Sequence, residues 1–270
     1  MRLRGMGEFR FRRFTVSNER SAMKVNTDGV LLGASATLLP GDSCLLDVGT
    51  GTGTVALMAA QRLADLKCDA TAGEESHTHG ERHGDFRIIG IDIDKDSADE
   101  AAMNFSASPW ASCLHPVNIS LSGYTSSGRG VDCIDGFSPD MRFDAILSNP
   151  PYFESSLKAP DERRRNARHA DTLSYRDIFS VAGLLLKNTG RISLILPAEQ
   201  ETDAVRDAAA SGFYPFRIIS VRTVPHKAPS RAIMEFSRFR RDIIREHLAI
   251  QEKGTYTEQY RSLVKDFLLI

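Results

Sequence analysis

The segment "LLDVGTGTG" (45–53), with the helix-like stretch that follows it, constrains the fold of this chain more than any other. Cys44 to Val48 is a short apolar run ending in glycines, and Val55 to Leu66 then carries helical periodicity through Val55, Leu57, Met58, Leu63 and Leu66. A strand, a tight turn and a helix follow one another. The same alternation recurs downstream. "RIIGIDI" (Arg87 to Ile93) is a strand, and Lys95 to Phe105 a helix that Asp94 or Asp96 can cap. Pro116 to Ile119 is a weaker strand, "FDAILSN" a fourth and "RISLILP" (Arg191 to Pro197) a fifth, between helices at Tyr175 to Leu186 and Glu199 to Ala210. Phe216 to Val224 and Ala232 to Phe239 are close enough in sequence to pair antiparallel, and Tyr256 to Leu269 reads as a terminal amphipathic helix. This order predicts an α/β fold with a mostly parallel sheet covered by helices on both faces.

With 270 residues, 41% of them hydrophobic, the chain can bury one large core, so 1–270 is expected to form a single domain with a short basic extension at about 1–25. Two polar stretches rich in Gly and Ser, "KCDATAGEESHTHGERHGD" and "SLSGYTSSGRGVDCIDGFSPDM", interrupt the alternation and read as surface insertions at about 67–86 and 120–141. His77, His79 and His83 fall in the first, without a scaffold for a metal, and no metal is expected. Cys44, Cys68, Cys113 and Cys133 stand singly, which points to reduced thiols. No apolar stretch is long enough to cross a bilayer, and arginines occupy the N-terminus where a signal peptide needs its apolar segment. A cytoplasmic protein is expected.

A net charge of −1 excludes a protein that coats nucleic acid by bulk charge, but the cations are unevenly placed. Arg2, Arg4, Arg10, Arg12 and Arg13 crowd the N-terminus, and Lys158, Arg163, Arg164, Arg165 and Arg168 follow the fourth strand. Each cluster reads either as a solvated face or as a phosphate-contacting surface.

Gly49, Gly51 and Gly53 let the backbone turn and approach a ligand, and the next helix presents unpaired N–H groups. The spacing G-x-G-x-G departs from G-x-G-x-x-G, so a nucleoside without pyrophosphate fits better than a dinucleotide. Asp92, ending the second strand on the same sheet edge, can accept from ribose hydroxyls. "NPPY" ends the fourth strand beside it, a tetrapeptide expected by chance in about one such chain per thousand. The Asn149 side-chain oxygen and the Pro150 carbonyl can both accept from one NH₂ group, and Tyr152 can stack on a planar group that carries it. Accepting both protons favours a pyramidal, more nucleophilic nitrogen.

"LLDVGTGTG", "GIDID" and "NPPYF", in this order, resemble the class I S-adenosylmethionine-dependent methyltransferases that act on amino groups. The flanks "FTVSNERSAMKVNTDGVLLGA", "SPWA", "ARHADTLSYRDIF", "VPHKAPSRAIMEFS" and "YTEQYRSLVKDFLL" are similar to the tRNA(Val) adenine-37 N6-methyltransferase family. The resemblance implies a Rossmann-like, seven-stranded sheet with a reversed last strand, and methylation by S-adenosyl-L-methionine of N6 of an adenine in a tRNA anticodon loop. It implies cofactor contacts from Lys24, Thr27, Asp28, Asp47, Gly49, Gly51, Gly53, Asp92, Ser120 and Asn149. Ser120 stands where relatives commonly carry an acid on the cofactor's adenine amine, and Asn26 where they usually carry Gly. Asn149, Pro150 and Tyr152 would hold the target base, with Pro151, Phe153, Arg163, Arg164, Arg165 and Arg168 on the RNA, in a monomeric enzyme. A protein-glutamine N5-methyltransferase, another amino-methyltransferase of nucleic acid, a nicotinamide oxidoreductase and a non-catalytic RNA-binding module remain open as rivals.

Overall fold

The computed structural model describes residues 7–71, 86–126, 141–151 and 173–270. Strands β3 (Cys44–Val48), β4 (Arg87–Asp92), β5 (Leu114–Asn118), β6 (Phe143–Ser148), β7 (Leu186–Pro197), β8 (Tyr214–Arg222), β9 (Arg231–Ser237) and β10 (Ile244–Ala249) form one sheet in the order β10-β8-β9-β7-β6-β3-β4-β5. All neighbours are parallel except β9, which runs antiparallel to both β7 and β8. Chain order reverses at β3, because β4 and β5 lie on one side of it and β6 and β7 on the other. That reversal opens a crevice above the carboxyl ends of the central strands.

Each inner strand sends alternate side chains to opposite faces, and each face has its own core. Leu45, Ile88, Ala145 and Ile195 meet the helices α1 (Thr27–Ser35) and α2 (Thr54–Thr71), while Leu46, Ile89, Ile146 and Leu194 meet the residues of α5 (Tyr175–Leu185) and α6 (Glu201–Ala210). The helix α3 (Lys95–Ser106) starts where expected, with the Asp94 carboxylate accepting the Ser97 N–H at 2.9 Å. Among the described helices none is long and apolar enough to cross a membrane.

Several boundaries differ from the sequence reading. The seven expected strands are β3 to β9, and β10 adds an eighth, parallel to β8, at the sheet's edge. Only Leu248 of its six residues is buried, so no apolar pattern announces it. The strand expected at Arg191 begins at Leu186, and the terminal helix, α7, spans only Glu258–Val264. Both interruptions begin in regular structure: α2 continues to Thr71, and Leu121–Ser126 forms the helix α4, with Leu121 and Tyr124 buried.

The N-terminal residues form a hairpin of β1 (Glu8–Arg10) and β2 (Thr15–Ser17). Phe11 and Phe14 stack at 4.4 Å, and Phe14 meets the buried Trp110 edge-on at 5.9 Å, so these rings pack in the core. Two of the arginines here are tied to the protein. Arg12 donates to the Leu268 carbonyl at 2.9 Å, and Arg13 pairs with Asp65 at 2.6 Å, about 16 Å down α2 from the glycine turn. These contacts place them away from the crevice.

On the interior strand β9 the buried Glu235 binds four donors: the Thr37 N–H and hydroxyl, the Ser193 hydroxyl (each at 2.7 Å) and Arg217 (3.1 Å). The cross-strand register Ser193–Glu235–Arg217 joins β7, β9 and β8. Glu235→Ala leaves three neutral donors without this acceptor, while Arg217 keeps its pair with Glu246, and is expected to lower stability by about 3 kcal/mol. Urea unfolding measures this, and an unchanged midpoint would show that the network contributes nothing to the fold.

Candidate active site

The turn between β3 and α2 holds Gly49, Gly51 and Gly53 at φ 71°, 55° and 81°, a left-handed region costly for any residue with a Cβ. The Gly49 and Thr50 N–H groups both reach the Ile91 carbonyl, at 2.9 and 3.0 Å, which ties the turn to the end of β4. Two carboxylates fix it. Asp47, buried beneath, accepts from the Thr50 hydroxyl at 2.7 Å, and Asp92 accepts from the Gly51 N–H at 2.9 Å. Asp47 therefore supports the turn from below and does not line the cavity above it.

Asp92 is also held from its other side. Its second oxygen accepts the Asp94 N–H at 2.9 Å, and the Asn118 amide at the end of β5 donates to the carbonyls of Asp92 and Ile93, both at 3.0 Å. Burial raises the Asp92 pKa above its ordinary value, against the N–H groups of Asp94 and Gly51, which lower it. Ile93, by contrast, is 52% exposed and presents its apolar side chain to the cavity.

The cavity above these strand ends encloses about 380 Å³, and Gly49, Gly51, Asp92, Ile93, Ser120 and Asn149 all line it. Pro151 borders it as well. On β6 the Ser148 hydroxyl donates to the Val48 carbonyl at 2.7 Å, locking the ends of β6 and β3 together just before Asn149. Pro150 is buried behind the rim, and Asn149 is 9% exposed, with its amide nitrogen 3.7 Å from the Met23 sulfur. Ser120 caps α4 by accepting the Gly123 N–H at 3.0 Å.

Ser21, Ala22 and Met23 form the roof. The resemblance implies cofactor contacts from Lys24, Thr27 and Asp28, but none of the three lines the cavity. The Lys24 ammonium donates to the Asn18 carbonyl at 2.6 Å, Thr27 opens α1 behind the Asn26 cap, and Asp28 pairs with Arg231 at 2.8 Å. Ser21, Met23 and Ile93 were not foreseen: the first two sit on irregular chain, and Ile93 reads in sequence as the end of a strand. Tyr152, Phe153, Arg163, Arg164, Arg165 and Arg168, and likewise His77, His79 and His83, lie outside the described residues. Among the described residues no cluster of His, Cys, Asp or Glu is arranged to hold a metal ion.

Burial moves the Asp47 pKa from the ordinary 3.8 up to about 7, and the Thr50 hydroxyl and the Ala56 N–H, which pull it down, do not overcome this. The folded state therefore holds the proton more tightly than the unfolded chain. Its contribution favours folding in acid and is lost as pH rises between those two values. Asp47→Asn is expected to flatten this part of the stability profile in urea unfolding at a series of pH values. An unaltered slope would mean that Asp47 does not titrate there.

A scan against protein-family models found no match for the chain. Curated proteins named tRNA1(Val) (adenine(37)-N6)-methyltransferase are similar over nearly its whole length. The Bacteroides fragilis protein is 36% identical over 263 residues, covering 97% of each chain. That of Trichodesmium erythraeum is 35% identical, covering 98% of this chain and 99% of its own. Among solved structures, a predicted O-methyltransferase from Agrobacterium tumefaciens superposes with a TM-score of 0.56 at 16% identity, over 89% of this chain and 96% of the other. A T. thermophilus 16S rRNA N2 G1207 methyltransferase in complex with AdoMet and guanosine gives 0.51 at 16% identity, over 86% and 50%. The structures share the fold, and the curated relatives fix the family: this chain belongs to the tRNA1(Val) (adenine(37)-N6)-methyltransferases.

Proposed function

We propose that the cavity binds S-adenosyl-L-methionine and that the chain transfers its methyl group to N6 of adenine 37 in the anticodon loop of a tRNA(Val). The observation that carries this reading is the convergence of the glycine turn, Asp92 and Asn149 on one cavity. The lining suits the cofactor. A Cβ on Gly49 would approach Leu173 to 3.2 Å, and one on Gly51 would point at Ser21 and Met23, so the glycines keep open the space that a ligand needs. Asp92, with its two oxygens already steadied by backbone N–H groups, would accept from the ribose hydroxyls. Ile93 and Ile119 supply apolar surface for the adenine, and Ser120 an oxygen near its amine. Asp47 acts on the cofactor only through the turn. Lys24, Thr27 and Asp28 act through the roof segment they anchor.

S-adenosylmethionine, when bound, supplies an electrophilic methyl group on a sulfonium. The protein's part is to hold the nucleophile. Asn149 and the Pro150 carbonyl would accept both protons of the adenine N6 amine, and Tyr152 and Phe153 would pack on the base, which has left its stack. No side chain is assigned as a base, because the proton on a methylated cationic nitrogen is far more acidic than the starting amine and can leave to water. Arg163, Arg164, Arg165 and Arg168 would contact phosphates, with Pro151 at the RNA side of the pocket. In this reading the enzyme works as a cytoplasmic monomer without a metal.

Mass spectrometry of tRNA nucleosides from cells with and without the gene is expected to show loss of N6-methyladenosine. An unchanged level would overturn the assignment. Asn149→Ala is expected to lower turnover by about 10² or more with cofactor affinity nearly intact, whereas Asp92→Ala should weaken cofactor binding itself. Calorimetry and single-turnover assays separate the two. Replacing Arg163, Arg164 and Arg165 with Ala should raise KM for tRNA and flatten its salt dependence, and no change would return this stretch to a solvated face.

A further inference from the structure

Helix α3 carries a stripe that its position does not explain. Ser97, Glu100 and Asn104 lie three and four residues apart on one face, and their exposures are 4%, 0% and 3%. Side chains at that spacing share a face, and a face turned inward is ordinarily apolar. Three buried polar groups there must find partners, and each finds at least one in the chain from Ser17 to Ser21, at and just after the end of β2.

Glu100 does most. One oxygen accepts the Glu19 N–H at 2.6 Å, the Arg20 N–H at 3.0 Å and the Ser17 hydroxyl at 3.2 Å, and the other accepts the Ser21 N–H at 2.8 Å. All four donors are neutral. Burial alone would raise the Glu100 pKa, yet these donors together bring it below the ordinary value, so the group they hold is a carboxylate. Asn104 brackets Ser17, accepting its N–H at 2.7 Å and donating to its carbonyl at 3.0 Å. The same amide also donates to the Thr52 carbonyl, inside the glycine turn, at 2.8 Å. The Ser97 hydroxyl lies 3.0 Å from that of Ser21, which in turn donates to the Met23 carbonyl at 3.2 Å.

The stripe therefore grips the chain from Ser17 to Ser21, which leads into the roof of Ser21, Ala22 and Met23, and ties it to the turn that floors the cavity. Met23, at the far end of that roof, touches Asn149. We infer that Glu100, assisted by Asn104, is a positioning residue for methyl transfer: it draws successive backbone N–H groups onto one buried charge and so fixes the roof over the bound donor and against Asn149. This rests on the cavity being the S-adenosylmethionine site. A carboxylate is the suitable group because an acceptor-only side chain can take four donors at once, whereas an amide of the same shape presents its own N–H groups to one of them.

Glu100→Gln tests this. Hydrogen bonds to a charged group are worth enough that S-adenosylmethionine affinity, measured by calorimetry, should fall by tenfold or more. In the protein without cofactor, tryptic cleavage after Arg20, identified by the mass of the fragment beginning at Ser21, should speed up by a similar factor under native conditions. Asn104→Ala should shift both readouts the same way, and it serves as the test should Glu100→Gln not fold, as judged by its unfolding transition. A folded variant with cleavage at the wild-type rate overturns the inference, and so does one with undiminished affinity where wild type binds. Should wild type itself not bind the donor, the reading of the cavity fails instead, and the cleavage rate alone decides whether the stripe holds the roof.

Discussion

The structure depends on one sharp change of direction. At the end of β3, the central strand, the chain must leave the sheet and enter α2 within a few residues, and it does so through three left-handed glycines. Such a turn has little stability of its own. It is held by two carboxylates, Asp47 from beneath and Asp92 from the neighbouring strand, and by the Ile91 carbonyl between them. Because β3 is also where the order of strands reverses, this well-fixed piece of backbone faces the crevice opened there. The position of the site follows from that coincidence.

Electrostatically the site follows a consistent pattern. Asp47, Asp92 and Glu100 are met by hydroxyl and backbone N–H donors rather than by cations in the bonds that fix the turn and the roof. Several cation-to-carboxylate pairs lie at the other end of the sheet, where Arg191 meets Asp42, Lys187 meets Asp144 and Arg217 meets Glu235 and Glu246. Among the described residues that line the pocket none is Lys or Arg. That is compatible with a ligand that brings a positive charge of its own.

Much of this was legible in the sequence, for identifiable reasons. β3, β4 and β6 are buried on both faces and read as unbroken apolar runs, so their order and the turn between β3 and α2 follow directly. Asp92 and Asn149 were found because they directly follow or end such runs. β10 was not, since five of its six side chains remain accessible, and α4 was hidden in a polar stretch although Leu121 and Tyr124 carry helical spacing. The roof could not be read either: Ser21 to Met23 have no periodicity, and their place is set by Glu100, some eighty residues later in the chain. Arg12 and Arg13 illustrate the limit of charge patterns, which reveal a cluster but not whether Leu268 and Asp65 already occupy it.

Gly90, in the middle of β4, has no side chain to offer the interior, and the space is used from above and from the side. A Cβ there would stand 2.8 Å from the Thr50 hydroxyl oxygen and 3.2 Å from the Phe105 ring, and Phe105 also closes on Gly53. One aromatic ring is thus wedged between a strand and the turn over it, with both glycines as the clearance. The level of the pocket floor is set from inside the sheet, so a single added methyl group at residue 90 would lift the turn from below and alter ligand affinity without touching any ligand.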